Sequence, residues 1–123
     1  MILADTSIWV EHLRRSNSTF INLLDAGSVV THPFIIGEIA LGYLKRRDFI
    51  LDSLRAMPQA LTASNEEVLD FIDQHNLFEL GIGYVDAHLL AAMRLNVGVS
   101  LWTRDKRLCH AARLLTVATA DFP

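Results

Sequence analysis

Residues 2–15 read ILADTSIWVEHLRR, and this stretch indicates how the fold begins. Its first three residues, Ile2–Ala4, are apolar and predict a short buried strand, which Asp5 follows directly. From Thr6 to about Arg15 the apolar residues recur at helical spacing, so a helix follows the strand. The same order of strand and helix recurs further along the chain. Strands that alternate with helices predict βαβ units and therefore an α/β fold with a mostly parallel sheet.

Apolar spacing, together with residues that start or stop helices, predicts the remaining elements. The further predicted strands are Ser28–Thr31, Val99–Trp102 and Leu115–Ala118. Three further helices are predicted by their start or stop signals: a short one containing Phe20–Leu24 that Gly27 stops, one with Pro33 in its first turn, and one that a capping box of Ser64 and Glu67 opens. The other three predicted helices are Asp48–Met57, which Pro58 ends, Tyr84–Leu95 and Lys106–Leu114.

Length and composition narrow the class of protein. A chain of 123 residues, with no repeat, linker or low-complexity stretch, is expected to form a single domain over residues 1–123. The longest uncharged stretch, Ala26–Gly37, is too short to span a bilayer, and one cysteine, Cys109, agrees with a reducing compartment. We therefore expect a cytoplasmic protein without a membrane partner. Eleven basic residues against 14 acidic ones give a net charge of −3, which taken alone argues against nucleic-acid binding.

Three aspartates lie beside the ends of predicted elements. Asp5 follows the first strand, Asp105 closely follows the strand Val99–Trp102, and Asp86 lies at the start of the helix Tyr84–Leu95. Each has a purely structural interpretation, as a helix cap or as an acid favoured by the helix dipole. However, a parallel α/β sheet binds its ligands at the carboxyl ends of its strands, where these acids are expected to meet.

Glu38 is the fourth carboxylate of interest, because it lies within the apolar run FIIGEIAL at residues 34–41. Such neighbours predict that its side chain is at least partly buried and has a metal ion or a distant arginine as partner. The alternative is a solvent-facing glutamate on a helix that is buried on one side only.

Four carboxylates at one sheet edge would repel one another, since two unit charges about 4 Å apart cost roughly 4 kcal/mol at an effective dielectric constant near 20. A bound cation removes this cost. Ligands that are all oxygen select a hard ion, Mg²⁺ or Mn²⁺, and the five histidines lack the spacing of a zinc site. A site of this kind is suited to phosphoryl chemistry.

These motifs resemble those of the PIN-domain family, and in particular the VapC-type toxins of bacterial type II toxin–antitoxin systems. The resemblance covers essentially the whole chain. It rests on the order and setting of four motifs: DTS at residues 5–7, PFIIGEIALG at 33–42, YVDAHLLAAM at 84–93 and LWTRDKRL at 101–108.

The resemblance implies a Rossmann-like sheet with helices on both faces and a Mg²⁺- or Mn²⁺-dependent endoribonuclease activity. Asp5, Glu38, Asp86 and Asp105 would then be the catalytic, metal-binding residues. The resemblance also implies assembly as a homodimer, and inhibition by a cognate antitoxin that blocks the acidic site. Nearby hydroxyl groups would support the site, here those of Thr6, Ser7 and Thr103.

Basic residues near these motifs are candidate RNA contacts: Lys45, Arg46, Arg47, Arg104 and Lys106. The net charge does not contradict an RNA substrate. Apart from the four proposed ligands, ten acidic residues remain against 11 basic ones, so the acidity is concentrated in the metal site.

Three other functions remain as alternatives. A non-catalytic PIN-like binding scaffold would be favoured by the loss of one of the four acids, and none is lost. A phosphoacceptor receiver domain needs paired acids after the first strand and a lysine after a late strand. Here Thr6 and Ser7 follow Asp5, and Lys106 opens a helix. A metal-free ribonuclease needs a histidine pair as acid and base, and no such pair stands out.

Overall fold

Three short parallel strands form the centre of the structure, a computed structural model that describes residues 1–123. The elements follow one another in the order β1 (Ile2–Ala4), α1 (Thr6–Arg14), α2 (Ser18–Asp25), β2 (Val29–Val30), α3 (Pro33–Ala40), α4 (Arg47–Ala56), α5 (Asn65–His75), a 3₁₀ turn (Leu77–Glu79), α6 (Tyr84–Leu95), β3 (Ser100–Trp102) and α7 (Lys106–Leu114). This order confirms the predicted α/β class.

The strand β1 lies in the middle of the sheet, between β2 and β3. Its register pairs Leu3 with Val30 on one side and with Leu101 on the other. All three residues of β1 are buried. Because successive side chains of a strand point to opposite faces, both faces of the sheet are covered, as in a Rossmann-like fold.

A chain of aromatic rings packs beside the sheet. The Trp9 ring meets Phe20 edge to face at 4.7 Å between centroids, and Phe20 in turn meets Trp102 at 5.7 Å. Phe122 packs on the other side of Trp102 at 5.1 Å. Both tryptophans are buried, so they belong to the core and not to a surface for stacking bases.

The predicted last strand, Leu115–Ala118, is wrong. Thr116 adopts the left-handed conformation, with φ of 56°, and the chain turns there to end α7. The Thr116 and Val117 N–H groups donate to carbonyls of the last helical turns, at 3.0 and 2.8 Å, so neither can pair with the sheet. Only an isolated bridge between Leu101 and Thr119 remains.

The predicted helix signals at Gly27 and Ser64 are confirmed. Gly27 has φ of +66°, a conformation that glycine adopts without strain, and it follows the C-cap of α2. Ser64 accepts a hydrogen bond from the Glu67 N–H at 3.1 Å, and the Glu67 carboxylate accepts one from the Ser64 N–H at 3.0 Å. None of the helices is both long enough and apolar enough to cross a membrane.

The capping box of α5 gives a test of the fold. Ser64→Ala removes a side-chain acceptor from an orphan helix N–H, so we expect the free energy of unfolding to fall by about 1 kcal/mol. Urea unfolding followed by circular dichroism measures the change. Ser53→Ala is the matched control, since Ser53 is exposed inside α4 and donates only to the Phe49 carbonyl. Equal stability of the two variants would contradict the capping role.

Candidate active site

Asp5 is the most deeply placed of the four carboxylates. It follows β1 directly, its N–H donates to the Trp102 carbonyl at 3.0 Å, and only 5% of the residue is exposed. Its carboxylate accepts hydrogen bonds from the Ser7 and Thr103 hydroxyls and from the Ile8 N–H at the start of α1. Burial raises the pKa of the Asp5 carboxyl above its ordinary value, although these hydrogen bonds oppose the shift.

The hydroxyls of Ser7 and Thr103 join the ends of β1 and β3. While both donate to Asp5, the Ser7 oxygen accepts from the Arg104 N–H, and the Thr103 oxygen accepts from the Asp105 N–H, each at 2.9 Å. Each hydroxyl therefore acts as donor and acceptor at once. This arrangement fixes the loop that carries Asp105 against the carboxylate of Asp5.

Asp105 occupies the N-cap of α7. One of its carboxylate oxygens accepts from the Arg107 N–H at 2.9 Å and from the Leu108 N–H at 3.2 Å. The structural interpretation of this residue as a cap is thus correct. The residue is also exposed beside the site, so capping does not exclude a role in binding.

The expectation that Glu38 is partly buried is wrong. The helix α3 buries one side through Ile35 and Ile39, whereas Gly37 and Glu38 lie on its exposed side. The Glu38 carboxylate accepts a hydrogen bond from the Thr6 hydroxyl at 2.7 Å, which ties α3 to the first turn of α1. The alternative of a solvent-facing glutamate on a helix buried on one side is therefore correct, and the protein partner of Glu38 is a hydroxyl and not an arginine.

Asp86 shows that the four carboxylates share one region. It lies half-buried in the first turn of α6. Burial, followed by the charges of Asp105, Asp5 and Glu38, raises the pKa of Asp86 to about 6, and a hydrogen bond from the Gly83 backbone only partly offsets them. Each of the other three acids thus lies near enough to disfavour ionisation of Asp86.

No basic side chain neutralises these four acids. The two salt bridges of the structure lie elsewhere, between Arg104 and Glu11 at 2.9 Å and between Arg55 and Asp52 at 3.4 Å. No three His, Cys, Asp or Glu side chains stand close enough together to form a ready-made group of metal ligands. The four carboxylates therefore lie near one another without a basic side chain between them, but they are farther apart than the ligands of one bound ion.

Two of the candidate RNA contacts have intramolecular partners. The Arg104 guanidinium binds the Glu11 carboxylate through Nε and Nη2 and donates from Nη1 to the Phe122 carbonyl at 2.8 Å. Arg47 donates to the carbonyls of Ala40 and Gly42 at the end of α3. The contact of Glu11 with Arg104 is not predictable from the sequence, because no local pattern relates position 11 to position 104.

The other three candidates keep their donors free of hydrogen bonds to protein groups. The Arg46 guanidinium lies 4.3 Å from the centroid of the Phe49 ring. Lys45 and Lys106 are exposed, and each lies near one of the acids, Lys45 in a groove with Glu38 and Lys106 next to Asp105. A role of these residues in RNA binding remains a prediction.

Two histidines are buried in the core and do not form an exposed acid–base pair. His32 and His88 are 1% and 2% exposed, with ring centroids 6.4 Å apart. Burial, with a smaller effect of His88, lowers the pKa of His32 to about 4. His88 packs against Phe34 and Tyr84. This environment disfavours the alternative of a metal-free ribonuclease that uses paired histidines.

Comparison with known proteins gives consistent matches along the chain. The PIN domain family matches residues 2–114. Ribonuclease VapC32 of Mycobacterium tuberculosis, from strains CDC 1551 and H37Rv, is 43% identical over 121 residues, which cover 98% of both proteins. The crystal structure of FitAcB from Neisseria gonorrhoeae superposes with a TM-score of 0.63 at 21% identity, covering 98% of this chain and 97% of the other. The structural match concerns the fold alone.

The environment of Asp86 predicts a pH-dependent effect on stability. Its pKa is higher in the folded state than the ordinary value of 3.8, so the folded protein loses stability as pH rises to about 6. Asp86→Asn removes the ionised carboxylate. We expect this variant to melt at a higher temperature than the wild type at about pH 8, and the difference to vanish at about pH 4.

Thermal unfolding measured across this pH range tests the prediction. Asp48→Asn is the matched control, because Asp48 lies in the first turn of α4 but is exposed and outside the cluster. Removing Asp48 costs only a favourable interaction with the helix dipole, so no stabilisation is expected at any pH. A melting temperature of Asp86→Asn that stays at or below that of the wild type at high pH would contradict the electrostatic account.

Proposed function

The chain belongs to the PIN-domain family, and on that premise we propose that it is an endoribonuclease toxin that hydrolyses RNA phosphodiester bonds and is neutralised by a cognate antitoxin. The observation that carries the proposal is the convergence of four carboxylates on one region without a basic partner. Similarity to a protein named Ribonuclease VapC32 along nearly the whole chain supports the same activity.

The donor set fits a hard divalent cation. Asp5, Glu38, Asp86 and Asp105 supply only carboxylate oxygens, which suit Mg²⁺ or Mn²⁺, and the charges that raise the pKa of Asp86 favour any added cation. When bound, such an ion polarises a phosphate oxygen and stabilises the charge that develops on the leaving oxygen. These four residues are therefore the proposed catalytic and metal-binding groups.

Other side chains hold these carboxylates in place. The hydroxyls of Ser7 and Thr103 orient Asp5 from two sides, and the Thr6 hydroxyl orients Glu38. The first turn of α7 fixes Asp105 by two backbone hydrogen bonds. These hydrogen bonds limit the motion of Asp5, Glu38 and Asp105, so fewer side chains have to rearrange when an ion binds. Thr6, Ser7 and Thr103 are thus proposed as positioning residues.

Two alternatives from the sequence have less support. In the receiver-type interpretation, a second acid beside Asp5 would help to hold the ion, but the neighbouring Ser7 hydroxyl donates to Asp5. Membership of the PIN-domain family also argues against it. The non-catalytic scaffold would have no need for four carboxylates whose mutual repulsion destabilises the fold. Measurements of RNA cleavage distinguish the non-catalytic scaffold from the proposed endoribonuclease.

A groove beside Glu38 is our proposed docking site for the antitoxin. It has a volume of about 490 Å³ and runs between α1 and the segment that follows α3, with Leu13, Ile39 and Leu44 among its lining residues. Glu38 and the basic residues Arg14 and Lys45 also line the groove, so it suits an amphipathic peptide that presents apolar side chains together with charges of both signs. Such a peptide would cover the carboxylates and block access of RNA.

Homodimerisation and a cytoplasmic location complete the proposal. The helices α1 and α4 are the candidate interface elements, and Phe49 in α4 is 56% exposed, as expected of an apolar side chain that a second copy covers. Cys109 is a free cysteine, which agrees with a reducing compartment.

A digest of a mixed pool of tRNA, rRNA and mRNA, with the cleavage ends mapped, tests the proposed activity. We expect the wild type with Mg²⁺ to leave 5′-phosphate and 3′-hydroxyl ends. Asp86→Asn is expected to slow cleavage on the order of a hundredfold or more, since removal of one electrostatic group of an active site commonly costs that much. Asp48→Asn, the exposed control, is expected to cleave like the wild type.

Each contrary result identifies a different error. Wild-type activity that persists in excess EDTA would exclude the divalent ion, and cyclic phosphate ends would indicate histidine chemistry. Equal cleavage by wild type and Asp86→Asn would remove Asp86 from the site. Inactivity of the wild type on every RNA would favour the non-catalytic scaffold.

A further inference from the structure

The outer face of α7 carries a row of basic residues next to the proposed active site. Lys106, His110 and Arg113 recur at intervals of four and three residues, so they lie on one face of the helix. They line a cavity of about 290 Å³ that also includes Thr103 and Asp105. The row therefore begins beside the carboxylate cluster and leads away from it.

The side chains of this row have no protein partners. Lys106, His110 and Arg113 are exposed, and none of their side chains makes a hydrogen bond or a salt bridge to a protein group. Arg104 also lines the cavity, but the Glu11 carboxylate binds its guanidinium. Asp105 is the only acid that lines the cavity. Apart from Asp105, the chain supplies no anion to this surface, whose positive charges are those of Lys106 and Arg113.

The backbone of α7 holds this row at a fixed distance from the site. Leu108, Ala111 and Ala112 on the opposite face of the helix are buried, which anchors α7 to the core. Lys106 and Arg113 are seven residues apart, or roughly 10 Å along a helix. A nucleic-acid strand carries a charge about every 3.4 Å of helix axis, so the row can contact more than one phosphate.

The composition of the cavity favours a phosphate backbone over bases or protein. Its only aromatic ring is the polar imidazole of His110, and Cys109 is its only apolar residue. Stacking of bases needs aromatic surface, and protein interfaces are centred on buried apolar or aromatic anchors. The cavity offers one small polar ring and no apolar anchor, whereas lysine and arginine side chains are the usual contacts of phosphate groups.

We propose that the Lys106–His110–Arg113 face of α7 binds the sugar–phosphate backbone of the RNA on one side of the scissile bond. The inference rests on the proposed ribonuclease function and specifies where the bound RNA lies on the protein surface. Because the contacts are to phosphates, they strengthen binding of RNA irrespective of its sequence. Selection of the cleavage site then depends on other parts of the molecule.

The double variant Lys106→Gln/Arg113→Gln tests this proposal through the salt dependence of binding. Binding of a fluorescent single-stranded RNA is measured by anisotropy, with Asp86→Asn in all proteins to keep the RNA intact. Each lost contact lowers the slope of log affinity against log salt by about 0.7, so we expect the slope to fall by about 1.4. At about 0.15 M salt the affinity should fall roughly tenfold.

The control is Arg15→Gln, which removes one positive charge from an exposed position outside the cavity. It is expected to leave the salt slope unchanged. When Asp86 is retained, we expect Lys106→Gln/Arg113→Gln to raise KM for RNA cleavage. The increase should be similar for RNAs of unrelated sequence.

Alkylation of Cys109 gives a readout that does not depend on cleavage. Cys109 is the chain's only cysteine and lines the same cavity, between Lys106 and Arg113 in sequence. We expect single-stranded RNA to slow its reaction with a small neutral maleimide in the Asp86→Asn protein. The same RNA concentration should protect Cys109 much less when Lys106 and Arg113 are also replaced.

The outcomes separate the two proposals. If the wild type neither binds nor cleaves RNA, the ribonuclease function itself is wrong. If the wild type cleaves RNA but the double variant keeps its RNA affinity and salt slope, the proposed binding of RNA along α7 is wrong and the ribonuclease function is still supported. Protection of Cys109 by poly-glutamate as strong as that by RNA would also overturn the proposed binding, because it would indicate a surface for acidic peptides.

Discussion

Mutual repulsion among four carboxylates is the constraint on which the site depends. The effect of this repulsion is clearest at Asp86. Its burial, together with the charges of Asp105, Asp5 and Glu38, raises the pKa of its carboxyl to about 6. The protein offers no lysine or arginine partner to relieve this repulsion. In the absence of a cation, this repulsion lowers the stability of the fold. A bound cation would relieve the repulsion, and a destabilising group of charges of this kind is typical of functional sites.

The fold keeps the repelling groups together by means of neutral hydrogen-bond donors. The parallel pairing of β1 with β3 brings Asp5 next to Thr103, and the hydroxyls of Ser7 and Thr103 then connect Asp5 to the loop before α7. In the same way, the Thr6 hydroxyl donates a hydrogen bond to the Glu38 carboxylate. Hydroxyl groups orient carboxylates without neutralising them, so they preserve the charge that a basic partner would cancel.

Much of this arrangement is predictable from the sequence, because it depends on local signals. The positions of Asp5 and Asp105 at strand–helix junctions follow from the apolar runs before them, and the sheet order brings the junctions together. The exposure of Glu38 is not predictable in this way, since it depends on which face of α3 packs inward. The salt bridge of Arg104 with Glu11 and the turn at Thr116 that replaces the last strand also depend on tertiary contacts and backbone geometry.

Isothermal titration of Mn²⁺ into the protein at about pH 6, in two buffers of different ionisation enthalpy, is the most direct test of the central claim. A cation that binds among the four carboxylates must displace the proton that Asp86 partly holds at this pH. The account predicts saturable binding with proton release by the wild type, and loss of both in Asp86→Asn. Absence of binding by the wild type, or equal binding and proton release by the variant, would contradict it.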